Sequence, residues 1–410
     1  VAVRVGHAVR GLIGGALAAA ALAACSSAAP APSDPLRAYL ESRDARRATL
    51  ERSLVAPANG YSQLRLSRYA TGRDGDWERL AEWNPRTEPV RASDLGRGEV
   101  SLGADAAALE LARAEAGDAE ALRALGERAF YSYPVQLIGY AGPALESREA
   151  ALRYGLWIDE RERVGGLVRA EAPAGGTAVG LTCSSCHARV EGGKLRVLPN
   201  TKLDLGRLMT DAGGDSSGAR LAWGPGRIDV SSAAGTEPVR IPDLRPVRYL
   251  GHLHHAGAVK QNDVTTLAVR LETLIIVSHG QARRPPRAVT LGLALYLWQL
   301  ADELPAPPPA PGAFARTCGG CHAGEALGGG LVPMAQVGTD ETVGRSADRG
   351  TGFWRVPSLR GAGSRGPLMH DASILGVDAL LDPSRAGGHR FGLDLAEEER
   401  AALAAWLRAL

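Results

Sequence analysis

Leu181-Thr-Cys-Ser-Ser-Cys-His187 and Thr317-Cys-Gly-Gly-Cys-His322 are the stretches on which the reading of this chain turns. Each sets two thiols close together and places an imidazole directly after the second. Of five cysteines, four lie in these segments and the fifth is Cys25. Chance would give one Cys-x-x-Cys-His in about one chain in a thousand of this composition, and two far more rarely. A disulfide needs no histidine after its second cysteine, and a zinc site would want a further Cys/His pair at short spacing. The pattern suits one chemistry. Two thiols add across the vinyl groups of a haem, and the next residue sets its imidazole beneath the iron as proximal ligand. The sequence therefore predicts two haem c groups, at Cys183, Cys186, His187 and at Cys318, Cys321, His322.

The N-terminus bears on the compartment. Arg4 and Arg10 precede an apolar Gly/Ala/Leu run that closes with Leu22-Ala23-Ala24 before Cys25. Residues 1–24 read as a lipoprotein signal peptide. The Cys25 context resembles a bacterial lipobox, which implies lipidation of Cys25; Ser26 then implies delivery to the outer membrane, facing the periplasm. Residues 25–35, rich in Ala, Pro and Ser, read as a lipidated tether. No other stretch reaches the ~20 apolar residues of a membrane span. A composition of 45% hydrophobic and 22% charged residues with net charge +2 fits a soluble globular chain and gives no reason to expect nucleic acid. The expected partners are periplasmic redox proteins, with the membrane reached through the lipid.

Periodicity predicts helices over 35–54, 104–131 (broken near Gly117-Asp118), 264–278, 287–303 and, amphipathic with an acidic first turn, 395–410. Residues 165–180 read as a loop and 190–240 as weakly structured. The proline-rich 304–312 reads as a stiff linker. The expectation is a mainly α fold: a helical N-terminal extension (36–129), two cytochrome c-like haem domains (130–303 and 313–410) and long irregular loops.

An internal repeat supports two related halves. Pro242-Asp-Leu-Arg-Pro-Val-Arg-Tyr-Leu-Gly-His-Leu-His-His255 overlays Pro357-Ser-Leu-Arg-Gly-Ala-Gly-Ser-Arg-Gly-Pro-Leu-Met-His370 without a gap. Pro, Leu, Arg, Gly, Leu and the final His match at one offset. His and Met are common sixth ligands. The repeat therefore offers His254 as distal ligand to haem 1 and Met369 to haem 2, with His255 and His370 as alternatives. Met334 is the fallback for haem 2. Met209, His252, His279 and His389 read as packing, surface or pocket residues, and Trp223 and Trp354 as core. Arg245 and Arg360, matched in the repeat, are candidates to bind haem propionates, with Arg240 and Arg355 nearby.

The stretch Trp354-Arg-Val-Pro-Ser-Leu-Arg-Gly361, followed by Gly366-Pro-Leu-Met-His-Asp371, resembles the C-terminal haem domain of the bacterial di-haem cytochrome c peroxidase superfamily. Val337-Gly-Thr-Asp340 is similar to the same group. Leu181 to His187 together with Trp223-Gly-Pro-Gly-Arg227 resembles its di-haem rubber-oxygenase branch. The resemblance covers about 130–410 and departs from the pattern at Ser384, where the peroxidases carry the methionine of the high-potential haem. It does not single out a catalytic acid, although Asp229 and Glu237 lie in the first half. Two functions follow. One is electron transfer between periplasmic partners through two six-coordinate haems. The other is an oxidoreductase in which haem 1 meets a small oxidant, peroxide or dioxygen, while haem 2 supplies electrons.

Overall fold

Two helices with almost no polar face form the centre of the molecule, Val264–Ser278 and Arg287–Gln299, the latter extended by a 3-10 turn Leu300–Glu303. Asp263 caps the first, its carboxylate accepting from Thr266 N at 2.9 Å. The helix Ala119–Ser132, capped by Asp118, crosses the second helix at Gly126 and Gly292. A Cβ on Gly126 would stand 2.8 Å from Leu293 N, so the crossing needs glycine to let the backbones meet. The structure is a computed structural model that describes residues 34–410 apart from 99–100, 215–217 and 232–235. The stretch read as a signal segment and Cys25 lie outside the described residues. Among the described residues no helix is long and apolar enough to cross a membrane.

The N-terminal helices Pro35–Glu41, Arg43–Ser53 and Gly60–Arg68 join the same hydrophobic cluster as the central pair. Glu272, buried in the middle of its helix, accepts from Tyr39 at 2.8 Å and Tyr69 at 2.6 Å. A buried carboxylate needs such donors. They bind residues 35–69 to the central helices, and Pro35–Leu410 forms one contact unit.

The mainly α expectation is overturned. The fold is mixed α and β, with a four-stranded antiparallel sheet and several two-stranded ones. The large sheet runs Thr87–Arg91, Arg163–Glu171, Thr177–Leu181, Gln136–Ile138 in spatial order, with Val168 opposite Gly180 and Leu167 opposite Leu181. Its central hairpin is the stretch read as a loop. The glycines that prompted that reading are there for contact: Gly166 has φ +65°, and a Cβ on it would stand 2.6 Å from Ser185 N. They let the first Cys-x-x-Cys-His segment lie directly on the sheet. The 190–240 region also holds structure, with short paired strands Arg189–Glu191 and Lys194–Arg196 and the helix Leu205–Asp211.

In the C-terminal part, Leu331–Pro333 pairs with Phe353–Arg355, and the helix Glu397–Ala409 buries Leu403, Trp406 and Leu407 against Phe314 and Leu381. Three glutamates in that helix's first turn suit its positive end. Trp406 Nε1 donates to Pro308 O at 3.0 Å, tying the proline-rich segment down.

Candidate functional site

Cys183–His187 is a single helical turn, so Cys183, Cys186 and His187 share a face at spacings of three and four. Thr182 and Ser185 cap it reciprocally, and both hydroxyls also donate to Gly166 O, at 2.9 and 3.1 Å. Trp157 Nε1 donates to Ser184 O at 3.2 Å and Asn200 N to Cys186 O at 2.8 Å. The scaffold thus holds the turn from behind and leaves its thiol face to a cavity. Burial pushes the Cys183 and Cys186 thiols up to about 12. Burial also pushes His187 down to about 4. Its Nδ1 stands 3.1 Å from Pro242 O, and because a carbonyl only accepts, Nδ1–H is the donor.

The cavity measures about 310 Å³. The motif forms one wall, and Leu267, Leu271, Leu274, Ile275, Leu293 and Leu297 of the central helices form another. Arg240, His254, His255, Arg270, Arg349 and Arg355 gather elsewhere on its lining, as do Asp229 and Glu237. Thiols, the motif imidazole, an apolar wall and arginines fit a haem, an apolar macrocycle bearing two carboxylates.

The second motif is built alike. The helix Gly312–Thr317 runs into a turn in which His322 N donates to Cys318 O at 2.9 Å. His322 is buried. Its Nδ1 stands 3.0 Å from Leu327 O, and the carbonyl of Pro357 also favours its charged form. Burial lowers its pKa first, and these carbonyls offset part of the fall. Cys318 packs on the C-terminal core while Cys321 is exposed. An open recess of about 590 Å³, lined by Thr317, Arg316, Arg390 and Phe391, adjoins this motif.

The two repeat segments clasp each other. Arg240 N donates to His370 O at 2.7 Å, and its Nε to Met369 O at 2.9 Å. Arg355, at the matching place, donates through N to His255 O at 2.9 Å and through Nε to His254 O at 3.1 Å. His254 and Met369 both adopt left-handed backbone, φ +65° and +66°. Burial lowers both guanidiniums, Arg240 to about 10 and Arg355 to about 9.

The distal candidates stand as follows. His254 lines the first cavity with His187, but its Nε2 accepts from Arg270 Nε at 2.6 Å. His255 Nε2–H donates to Arg240 O at 2.9 Å. Met369 is half-buried. His370 stacks on Trp354 at 4.1 Å and 22°. Met334 is buried in a small cluster with Trp354 and Val356, and Trp223 lies in the core beside the large sheet. Arg245 and Arg360 lie away from the cavity lining. Arg245 pairs with Asp243 at 2.7 Å, and Arg360 donates to Leu304 O and Pro305 O and covers Tyr249.

Sequence reasoning passed over several residues. Arg65, Arg270 and Arg349 each lie over the Tyr61 ring, with centroid distances of 4.7, 5.7 and 5.0 Å. The signal for Arg270 was there, a cation in an otherwise apolar helix. For Arg65 and Arg349 there was none. His389, which the sequence left as a surface or pocket residue, is half-buried, and burial and then the charge of His322 push it down to about 4. Its Nδ1 is buried without a hydrogen-bond partner, and its φ is +55°. No family model, curated protein or solved structure matches the chain.

Proposed function

We propose that this chain is a di-haem c-type cytochrome of the bacterial cell envelope, lipid-anchored at Cys25, that passes electrons between two covalently held haems and periplasmic redox partners. The observation that carries this reading is that each motif histidine gives Nδ1–H to a backbone carbonyl, His187 to Pro242 O at 3.1 Å and His322 to Leu327 O at 3.0 Å. A proximal imidazole needs such an acceptor, because it fixes the tautomer and leaves Nε2 for the metal. Bound haem would supply a one-electron couple at each motif. The chain's part is to hold the thiols on one face, orient each imidazole and keep water from the apolar wall.

A second observation favours haem 1 as a reacting end, as in the peroxidases and oxygenases that the motifs resemble. The Nε2 of His254 is engaged by Arg270, so it is not presented as a sixth ligand. Glu237 lines the same cavity and could exchange protons with a small oxidant, peroxide or dioxygen. At haem 2 the half-buried His389, with a buried and unpartnered Nδ1, would be a candidate to hold the iron in place of Met369. On this reading a haem held at the second motif would supply the electron that chemistry at the first motif uses.

The test is an optical spectrum of the reduced holo-protein with and without carbon monoxide, beside a covalent haem count. Two haems, half of the absorbance shifting with the gas and the same fraction in His254→Ala support an open haem 1. No shift would leave a closed electron carrier, and fewer than two haems would overturn the assignment.

A further inference from the structure

One N-terminal helix completes a buried positive cluster at the first cavity. Arg65, only 1% exposed, comes from the helix Gly60–Arg68, Arg270 from Val264–Ser278, and Arg349 from the loop before Phe353. All three converge on the Tyr61 ring, and the same ring meets His254 edge-on at 5.0 Å. Arg270, Arg349 and His254 line the cavity itself. The carboxylate paired with them is Asp348, 3.3 Å from Arg349 Nε.

The donors of this cluster outnumber its acceptors. Arg65 Nε donates to Thr273 Oγ1 at 3.2 Å, but its Nη1 and Nη2 are buried with no partner. Because His254 Nε2 accepts from Arg270, its proton sits on Nδ1, and that N–H is also buried and unpartnered. Buried cations without counter-charge are costly, and buried donors without acceptors add to the cost. An anion with several lone pairs would answer both.

We propose that Arg65, Arg270, Arg349 and His254 form a receptor for a carboxylate-class anion at the first cavity, and that the N-terminal region serves to complete it. Two sources offer this chemistry: a propionate of the haem attached at Cys183 and Cys186, or a free small carboxylate. The first source rests on the haem reading above and the second does not.

The experiment uses the full-length holo-protein, with Arg65→Met, Arg349→Gln and the charge-keeping Arg65→Lys. Three readouts are taken: covalent haem count, the midpoint potential of each haem by spectroelectrochemistry, and calorimetric titration with acetate. Removing a positive charge beside one haem favours its oxidised form. The midpoint of one haem should therefore fall in Arg65→Met and Arg349→Gln, hold in Arg65→Lys, and leave the other haem unmoved. That shift without acetate binding assigns the site to the haem's own carboxylate. Saturable acetate binding by the wild type, lost in both charge-removing variants, assigns it to a free anion. Unmoved midpoints together with no acetate binding would overturn the receptor. A protein without haem would sink the haem reading alone, since acetate binding still tests the receptor. If Arg65→Met fails to fold, Arg349→Gln, at a less buried site, carries the same comparison.

Discussion

The two repeat segments share a backbone plan and differ in what surrounds it. Pro242–His255 and Pro357–His370 each turn left-handed one residue before the final histidine, and each is gripped by the arginine that precedes the other. Around the first, the central helices enclose an apolar cavity, and arginines from three separate segments close in. Around the second, Cys321 is exposed and the adjoining recess is open. The backbone plan is common to both segments. What differs gathers mainly around the first, where a buried and strongly charged pocket suits reaction more than storage.

The most disruptive way to break this comparison is to remove the thiols. Cys183→Ala with Cys186→Ala, and separately Cys318→Ala with Cys321→Ala, should each cost one covalent haem by intact mass. Their stabilities should differ. The first pair leaves an enclosed cavity unfilled, and at the ~24 cal/mol that each Å³ of residual cavity costs, the loss should reach several kcal/mol in chemical denaturation. The second borders an open recess that water can fill, so its loss should be smaller. Equal losses would mean that the enclosure of the first site has no energetic consequence.

Asp243 marks the next asymmetry, because its counterpart in the repeat is Ser358. Burial alone would raise the Asp243 carboxyl, but the hydrogen bond from Arg245 and the charges of Arg365 and Arg245 hold it below its ordinary value. Breaking a buried pair of this kind costs about 3–5 kcal/mol, so Asp243→Asn should lose that much at neutral pH. The folded carboxyl titrates below its unfolded value of about 3.9, so the stabilisation is present above that pH and fades as the pH falls through the lower folded value. Wild type and Asp243→Asn should therefore converge in acid. A gap that persisted there would place the stabilisation in packing instead of charge.

The legible and illegible parts of this chain separate by physical cause. The central helices and the C-terminal helix were readable because each depends on local spacing: Val264–Ser278 falls where the apolar pattern places it. The large sheet was missed because Gly165 and Gly166 disguise a strand, and their reason, the turn carrying Ser184 and Ser185 lying against them, is a tertiary contact. The repeat located His254, but nothing in the sequence brings Arg65 beside it, because those residues are joined only by packing across the fold. His389 read as a surface or pocket residue, and what singles it out, a buried and unpartnered Nδ1, is set by tertiary packing that no local pattern shows.

The clasp gives a finer test. Arg240→Gln and Arg355→Gln each remove a charged donor from a buried carbonyl, Met369 O or His254 O, at about 1–3 kcal/mol by denaturant titration. If the halves are bound symmetrically, the two losses should be close. A much larger loss for Arg355→Gln would tie the clasp to the first cavity.

The smallest expected effect separates strain from ligation. A side chain held in left-handed backbone costs roughly 1–2 kcal/mol relative to the right-handed region, and glycine removes most of that cost. Met369 and His389 both bear this strain in the second half. If Met369 only continues the repeat's frame, Met369→Gly should gain about 1 kcal/mol in thermal or chemical unfolding, with the optical spectrum of haem 2 unchanged. His389→Gly should relieve similar strain yet open haem 2 to carbon monoxide, because it removes the proposed sixth ligand. The reverse pattern, with haem 2 opened by Met369→Gly alone, would return the ligand to the repeat position. The two halves would then be alike at their distal positions, and the asymmetry between them would lie only in the charge and enclosure of the first cavity.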